Sequence, residues 1–168
     1  MIQKSVRKFR PDADIVFCTY NWGFAPEKER IELIENLPDG VTLMATWDMF
    51  DNIKYGNSVE NVVDYSLSYV GPGKYFTSEA IAAKKRGMKL YTISNTSGRT
   101  WDFGVVPYEP MPYQWIKRYE AILKANEEWG LSGLCDNIHY GFHPSIITEL
   151  EKAAFFTNHK PLPEILKI

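Results

Sequence analysis

Apolar residues along this chain fall into short unbroken runs, each followed by a polar loop and then by a segment with helical spacing. The runs are 14–20 (DIVFCTY), 41–47 (VTLMATW), 66–70, 88–94 (MKLYTIS) and 131–138. Five such runs without polar alternation predict strands covered on both faces, which belong to a parallel sheet under helices. Residues 2–10 read as the end of a helix, with basic side chains in its last turns and Pro11 as its stop. Pro26 with Glu27, Glu29 and Glu32 opens a helix that Pro38-Asp39-Gly40 closes. Residues 78–86 are acidic at the start, alanine-rich inside and basic at the end, so a helix is expected before Gly87. In 113–128, Trp115, Ile116, Tyr119, Ile122 and Leu123 repeat at helical spacing, and 146–156 forms a last clear helix. Between these, 49–56 reads as a loop, and Asn57 with Glu60 as a capping box opening a short helix.

Strand, loop and helix recurring in this order predict an α/β domain. About five β/α units form a segment of a parallel (β/α)8 TIM barrel. A freestanding doubly wound sheet is the alternative. A complete barrel needs about 250 residues and eight strands, and 168 residues suit a single domain, 1–168, that is a fragment or partial barrel. Such a segment would expose unpaired edge strands, so self-association through them is expected.

Composition narrows the partners. Hydrophobic residues make 45% and charged ones 24% of the chain, and 19 basic against 21 acidic residues give a net charge of -2. No broad positive field is available for a nucleic-acid backbone. No apolar stretch is long enough to span a membrane, and the first residues lack the apolar core of a secretory signal, which leaves the cytoplasm as the default location. Cys18 and Cys135, each inside an apolar run, offer neither a disulfide framework nor a Cys-rich metal site. Aromatic residues reach 14%, many in the strand-to-helix loops, where they could stack on a flat or sugar-like ligand or simply pack.

The polar candidates collect after the predicted strands. Asn21 and Trp22 follow the first; Trp47, Asp48 and Asp51 the second; Asn95, Arg99, Trp101 and Asp102 the fourth; Asp136, Asn137, His139, Tyr140 and His143 the fifth. In a parallel sheet these ends converge on one rim, the usual place for a catalytic site. Asp48 and Asp136 are the candidate catalytic pair, because glycoside hydrolysis uses two carboxyl groups flanking the scissile bond. Trp22, Trp47, Trp101 and Tyr140 would stack on sugar rings, while Asn95, Asn137, His139 and His143 would read hydroxyl groups. A structural reading stands beside each: a loop-capping Asp48, core tryptophans, and histidines that brace their own loop. His139 and His143 do not form a zinc-protease motif, since Ile138 and Tyr140 flank the first, and no metal site or cofactor is expected. No P-loop, dinucleotide fingerprint or G-x-S-x-G elbow is present.

The stretches ATWDMF, GLCDNIHYGFHPS and TELEKAAFF together resemble the central-to-late part of bacterial TIM-barrel glycoside hydrolases related to the β-N-acetylhexosaminidases. In those enzymes an acidic residue and a small polar one precede the HYG run. Asp136 and Asn137 stand there in this chain, with Asp where Glu is commoner. The resemblance implies hydrolysis of an O-glycosidic bond without a cofactor, by substrate-assisted chemistry in which an N-acetyl oxygen attacks and an Asp steadies the amide. Two other readings compete. One is a non-catalytic carbohydrate-binding or structural module; the other is a different barrel hydrolase or lyase with a histidine base.

Overall fold

The computed structural model describes residues 2–63, 65–97, 111–138, 146–155 and 161–166. Its elements in chain order are α1 (Ile2–Phe9), β1 (Ile15–Cys18), a 3-10 turn (Trp22–Phe24), α2 (Glu27–Glu35), β2 (Val41–Thr46), β3 (Asp51–Tyr55), β4 (Ser58–Val62) and α3 (Lys74–Lys85). They are followed by β5 (Leu90–Ser97), α4 (Pro112–Trp129), β6 (Leu131–Ile138), α5 (Ile146–Phe155) and α6 (Leu162–Ile165).

Four strands form one parallel sheet in the order β1-β2-β5-β6. Side chains alternate along a strand, and residues in register on parallel neighbours share a face. The register runs Phe17, Leu43, Leu90, Leu131 across the sheet, so these four define one face. That face carries the core: Leu43, Ala45, Leu90 and Leu131 pack with Ile34 of α2, Phe76 and Ala80 of α3, Trp115, Tyr119 and Ile122 of α4, and Ile147 and Leu150 of α5. The opposite face holds Val16, Cys18, Met44, Ile93 and Cys135, of which Val16 and Cys135 are exposed. Parallel strands in this order, flanked by helices, are broadly consistent with a partial barrel. A closed barrel is not formed by these four strands.

Three expectations are corrected. Residues 49–56 and 57–60 are not a loop and a helix start; β3 and β4 pair antiparallel, from Asp51 with Val62 to Tyr55 with Ser58. The signal was the two-residue turn Gly56-Asn57, where Gly56 adopts φ 58°, a left-handed value that suits a tight hairpin. Residues 66–70 are irregular rather than a third strand. Their backbone groups are satisfied by side chains instead of by a neighbouring strand. The Asp48 carboxylate accepts the Ser66 N–H, while Arg118 donates to the Ser66 and Tyr69 carbonyls and Gln114 to that of Ser68. The expected five-stranded sheet therefore has four strands plus a separate hairpin. The third helix also starts earlier than expected, at Lys74, because the Asp51 side chain accepts the Lys74 N–H at 2.8 Å from a distant part of the chain.

Candidate functional site

The polar groups at the carboxyl edge of the sheet are organised by Arg118 of α4. Asp48 lies two residues beyond β2 and is fully enclosed. Its Oδ2 accepts the Ser66 N–H at 2.8 Å and Arg118 Nη2–H at 3.0 Å. The same Nη2 donates to Ser94 Oγ at 2.7 Å, and Nη1 donates to the carbonyls of Ser66 (2.8 Å) and Tyr69 (2.7 Å). The guanidinium also lies 4.9 Å from the centre of the Trp115 ring. Arg118 sits mid-helix, where it reads as a surface cation, yet it faces the sheet and is 1% exposed. A buried guanidinium holding a carboxylate and two carbonyls fixes its surroundings through a planar fork.

Ser94 pairs in register with Asp136 on β6. Asp136 is half-buried, and its charge acts on Glu151 of α5. Burial, then the Asp136 charge, push the Glu151 carboxyl up to about 8. Burial, followed by the charges of Glu151 and Asp136, likewise raises the Tyr119 phenol of α4, whose hydroxyl donates to the Ile147 carbonyl at 3.2 Å. Asp136 and Ser94 are thus neighbours in register on the helix-covered face, and Arg118 links Ser94 to Asp48. The sequence pattern missed Glu151, Arg118 and Ser94. Two of these are charged residues on amphipathic helices, and periodicity gives no sign that they turn inward.

Asp51 does different work. Burial tends to raise its carboxyl, but hydrogen bonds from the Asn52 and Lys74 N–H groups and from the Tyr69 hydroxyl outweigh this and hold it below the usual carboxylate range. It tethers the β3–β4 hairpin to the start of α3.

The two candidate stacking tryptophans within the described residues, Trp22 and Trp47, part company. Trp22, in the 3-10 turn after β1, is 39% exposed and meets Phe17 edge-on at 5.6 Å. Trp47 is fully enclosed. Its ring packs on Phe76 at 4.7 Å and its indole N–H donates to the Val70 carbonyl at 2.9 Å. The backbone at Gly71 presses on this ring: a Cβ there would sit 2.2 Å from Trp47 Nε1, and φ is 72°. Trp47 presents no face to a ligand and belongs to the core. Asn95 and Asn137 are register partners on β5 and β6. Arg99, Trp101, Asp102, His139, Tyr140 and His143 lie outside the described residues.

Among the described residues no group of three or more His, Cys, Asp or Glu side chains could hold a metal ion, and no helix is long and apolar enough to cross a membrane. The fold and site define a parallel four-stranded α/β sheet flanked by helices, with a network of polar groups at its carboxyl edge. No protein-family profile matches the chain, and neither the curated proteins nor the solved structures compared with it give a significant match.

Proposed function

We propose that this chain is part of a (β/α)8 glycoside hydrolase, acting on an O-glycosidic bond at the carboxyl edge of its sheet. One observation supports this reading: Asp48, two residues beyond β2, is joined through Arg118 to Ser94, and Ser94 stands in register with Asp136 on β6. Two carboxyl groups in unlike surroundings are what such chemistry uses, one as proton donor and one as fixed negative charge. Asp48, ion-paired to Arg118, would supply the fixed charge, and Asp136, half-buried at the end of β6, the proton. Trp22 offers an exposed ring for a sugar face.

The test is turnover of a panel of aryl β-glycosides, aryl N-acetyl-β-glucosaminides included. A bell-shaped pH–rate profile, with activity lost in Asp136→Asn and circular dichroism unchanged, supports the hydrolase. The enclosure of Asp48 favours a second reading, a carbohydrate-binding module without turnover. Titration calorimetry showing sugar binding by a wild-type protein that hydrolyses none of the panel would select it. Neither binding nor turnover would remove both.

A further inference from the structure

A second enclosed ion pair, separate from Asp48 and Arg118, lies under the loop after β1. Arg30 of α2 and Glu79 of α3 are 1% and 3% exposed, and Arg30 Nη1–H donates to Glu79 Oε1. The other oxygen, Oε2, accepts the Thr19 hydroxyl at 2.6 Å. Thr19 is the first residue beyond β1 and is itself buried. Its N–H donates to the Met44 carbonyl of β2 at 3.1 Å, and its carbonyl accepts the Trp22 N–H at 3.0 Å, where the 3-10 turn begins. The turn is gripped from a second side. Phe50, left-handed at φ 60° between β2 and β3, presses its ring on Gly23 so closely that no side chain fits there. That ring meets Phe24 edge-on at 4.9 Å and Tyr75 of α3 at 5.7 Å. Tyr75 in turn carries the Arg30 guanidinium 4.1 Å from its centre. Glu79, Arg30, Tyr75 and Phe50 thus form one continuous brace around the turn.

Such a brace is a poor way to gain stability. Apolar residues of similar volume often serve as well as a buried ion pair, which offsets its desolvation only when its remaining donors are bonded. Arg30 Nε and Nη2 are enclosed and have no acceptor among the described residues. A bulky residue at positive φ adds strain of its own. What the ion pair adds over apolar packing is direction: a hydrogen bond to a charged acceptor is stronger and more directional than a neutral contact. The group it directs is Thr19, the root of a turn whose Trp22 ring stays exposed. We propose that Glu79, held by Arg30, is a positioning residue that acts through Thr19 to set the Trp22 ring for stacking on a pyranose. This rests on the reading of Trp22 as a sugar-binding ring. A ring fixed beforehand in its bound pose has less freedom to lose when the sugar arrives, so the gain appears as affinity.

The experiment uses the full chain labelled with fluorotryptophan, the Trp22 fluorine resonance being assigned by its absence in Trp22→Phe, with titration calorimetry against N-acetylglucosamine alongside. Thr19→Val removes the hydroxyl and keeps the Arg30–Glu79 pair, which separates positioning from folding. In Thr19→Val the Trp22 resonance should shift or broaden before any sugar is added, and affinity should fall several-fold. Thr19→Ser should restore both. Added to Trp22→Ala, Thr19→Val should cost no further affinity, because it acts only through that ring. With a wild type that binds the sugar, an unmoved resonance or an unchanged affinity in Thr19→Val would overturn the proposal, as would losses that add in the double variant. A wild type that binds no sugar overturns the reading of Trp22 as a sugar-binding ring. A Trp22 signal displaced in Thr19→Val and restored in Thr19→Ser then still supports the positioning, and an unmoved one overturns that as well.

Discussion

Arg118 and Asp48 form an ion pair enclosed on every side, Nη2 to Oδ2 3.0 Å, with side chains 1% and 0% exposed. The pair joins α4 to the end of β2 and, through the other guanidinium nitrogen, holds the backbone of 66–69. Removing one member of such a pair leaves a charge buried without its partner, which costs about 3–5 kcal/mol. Asp48→Ala and Arg118→Ala should each lower the unfolding free energy by about that amount in urea titrations. The double variant should cost clearly less than the sum, because the second change removes the orphaned charge. Additive losses would mean that the two groups are not energetically coupled.

The two tryptophans should separate stability from recognition. Trp47→Ala empties a packed site next to Phe76 and should cost about 3–5 kcal/mol. Trp22→Ala removes a half-exposed ring and should cost under about 1 kcal/mol. If Trp22 stacks on sugar, its loss should weaken N-acetylglucosamine binding several-fold by titration calorimetry while the melting temperature barely moves. Unchanged affinity would take Trp22 out of the binding surface.

Acid sensitivity has a local source at the opposite edge of the sheet. The Asp14 carboxyl is held below its ordinary range, first by the Thr42 hydroxyl, then by hydrogen bonds from Lys89 and Tyr91. A lowered folded-state value means that the stabilisation is present above the unfolded value, 3.8, and is lost as pH falls through the folded value below it. Because Asp14 is 38% exposed, solvent screening limits the effect to at most about 1 kcal/mol, weakened by salt. Melting curves between pH 2 and 5 should show the wild type losing more stability on acidification than Asp14→Asn. Equal losses would show that Asp14 does not contribute.

The helix over Pro112–Trp129 and the strand over Leu131–Ile138 were legible because each carries an uninterrupted local pattern. The hairpin was misread for an equally local reason: Asn57 and Glu60 have cap spacing, but Gly56-Asn57 makes the turn, and cross-strand pairing decided between them. The segment 66–70 looked like a strand on residue type alone. Its conformation is set by Arg118 and Gln114, about fifty positions further on.

By itself the sequence determined the α/β class, most element positions and the collection of polar residues after the strands, since alternation, apolar runs and caps act within a few residues. Only the tertiary structure decided that β5 lies beside β2 across an inserted hairpin, that Trp47 and Asp48 are enclosed, and that the charge of Asp136 acts on Glu151. Those outcomes depend on contacts between groups far apart in the chain. A charged or aromatic side chain carries the same local signal whether its partner waits across the sheet or water surrounds it.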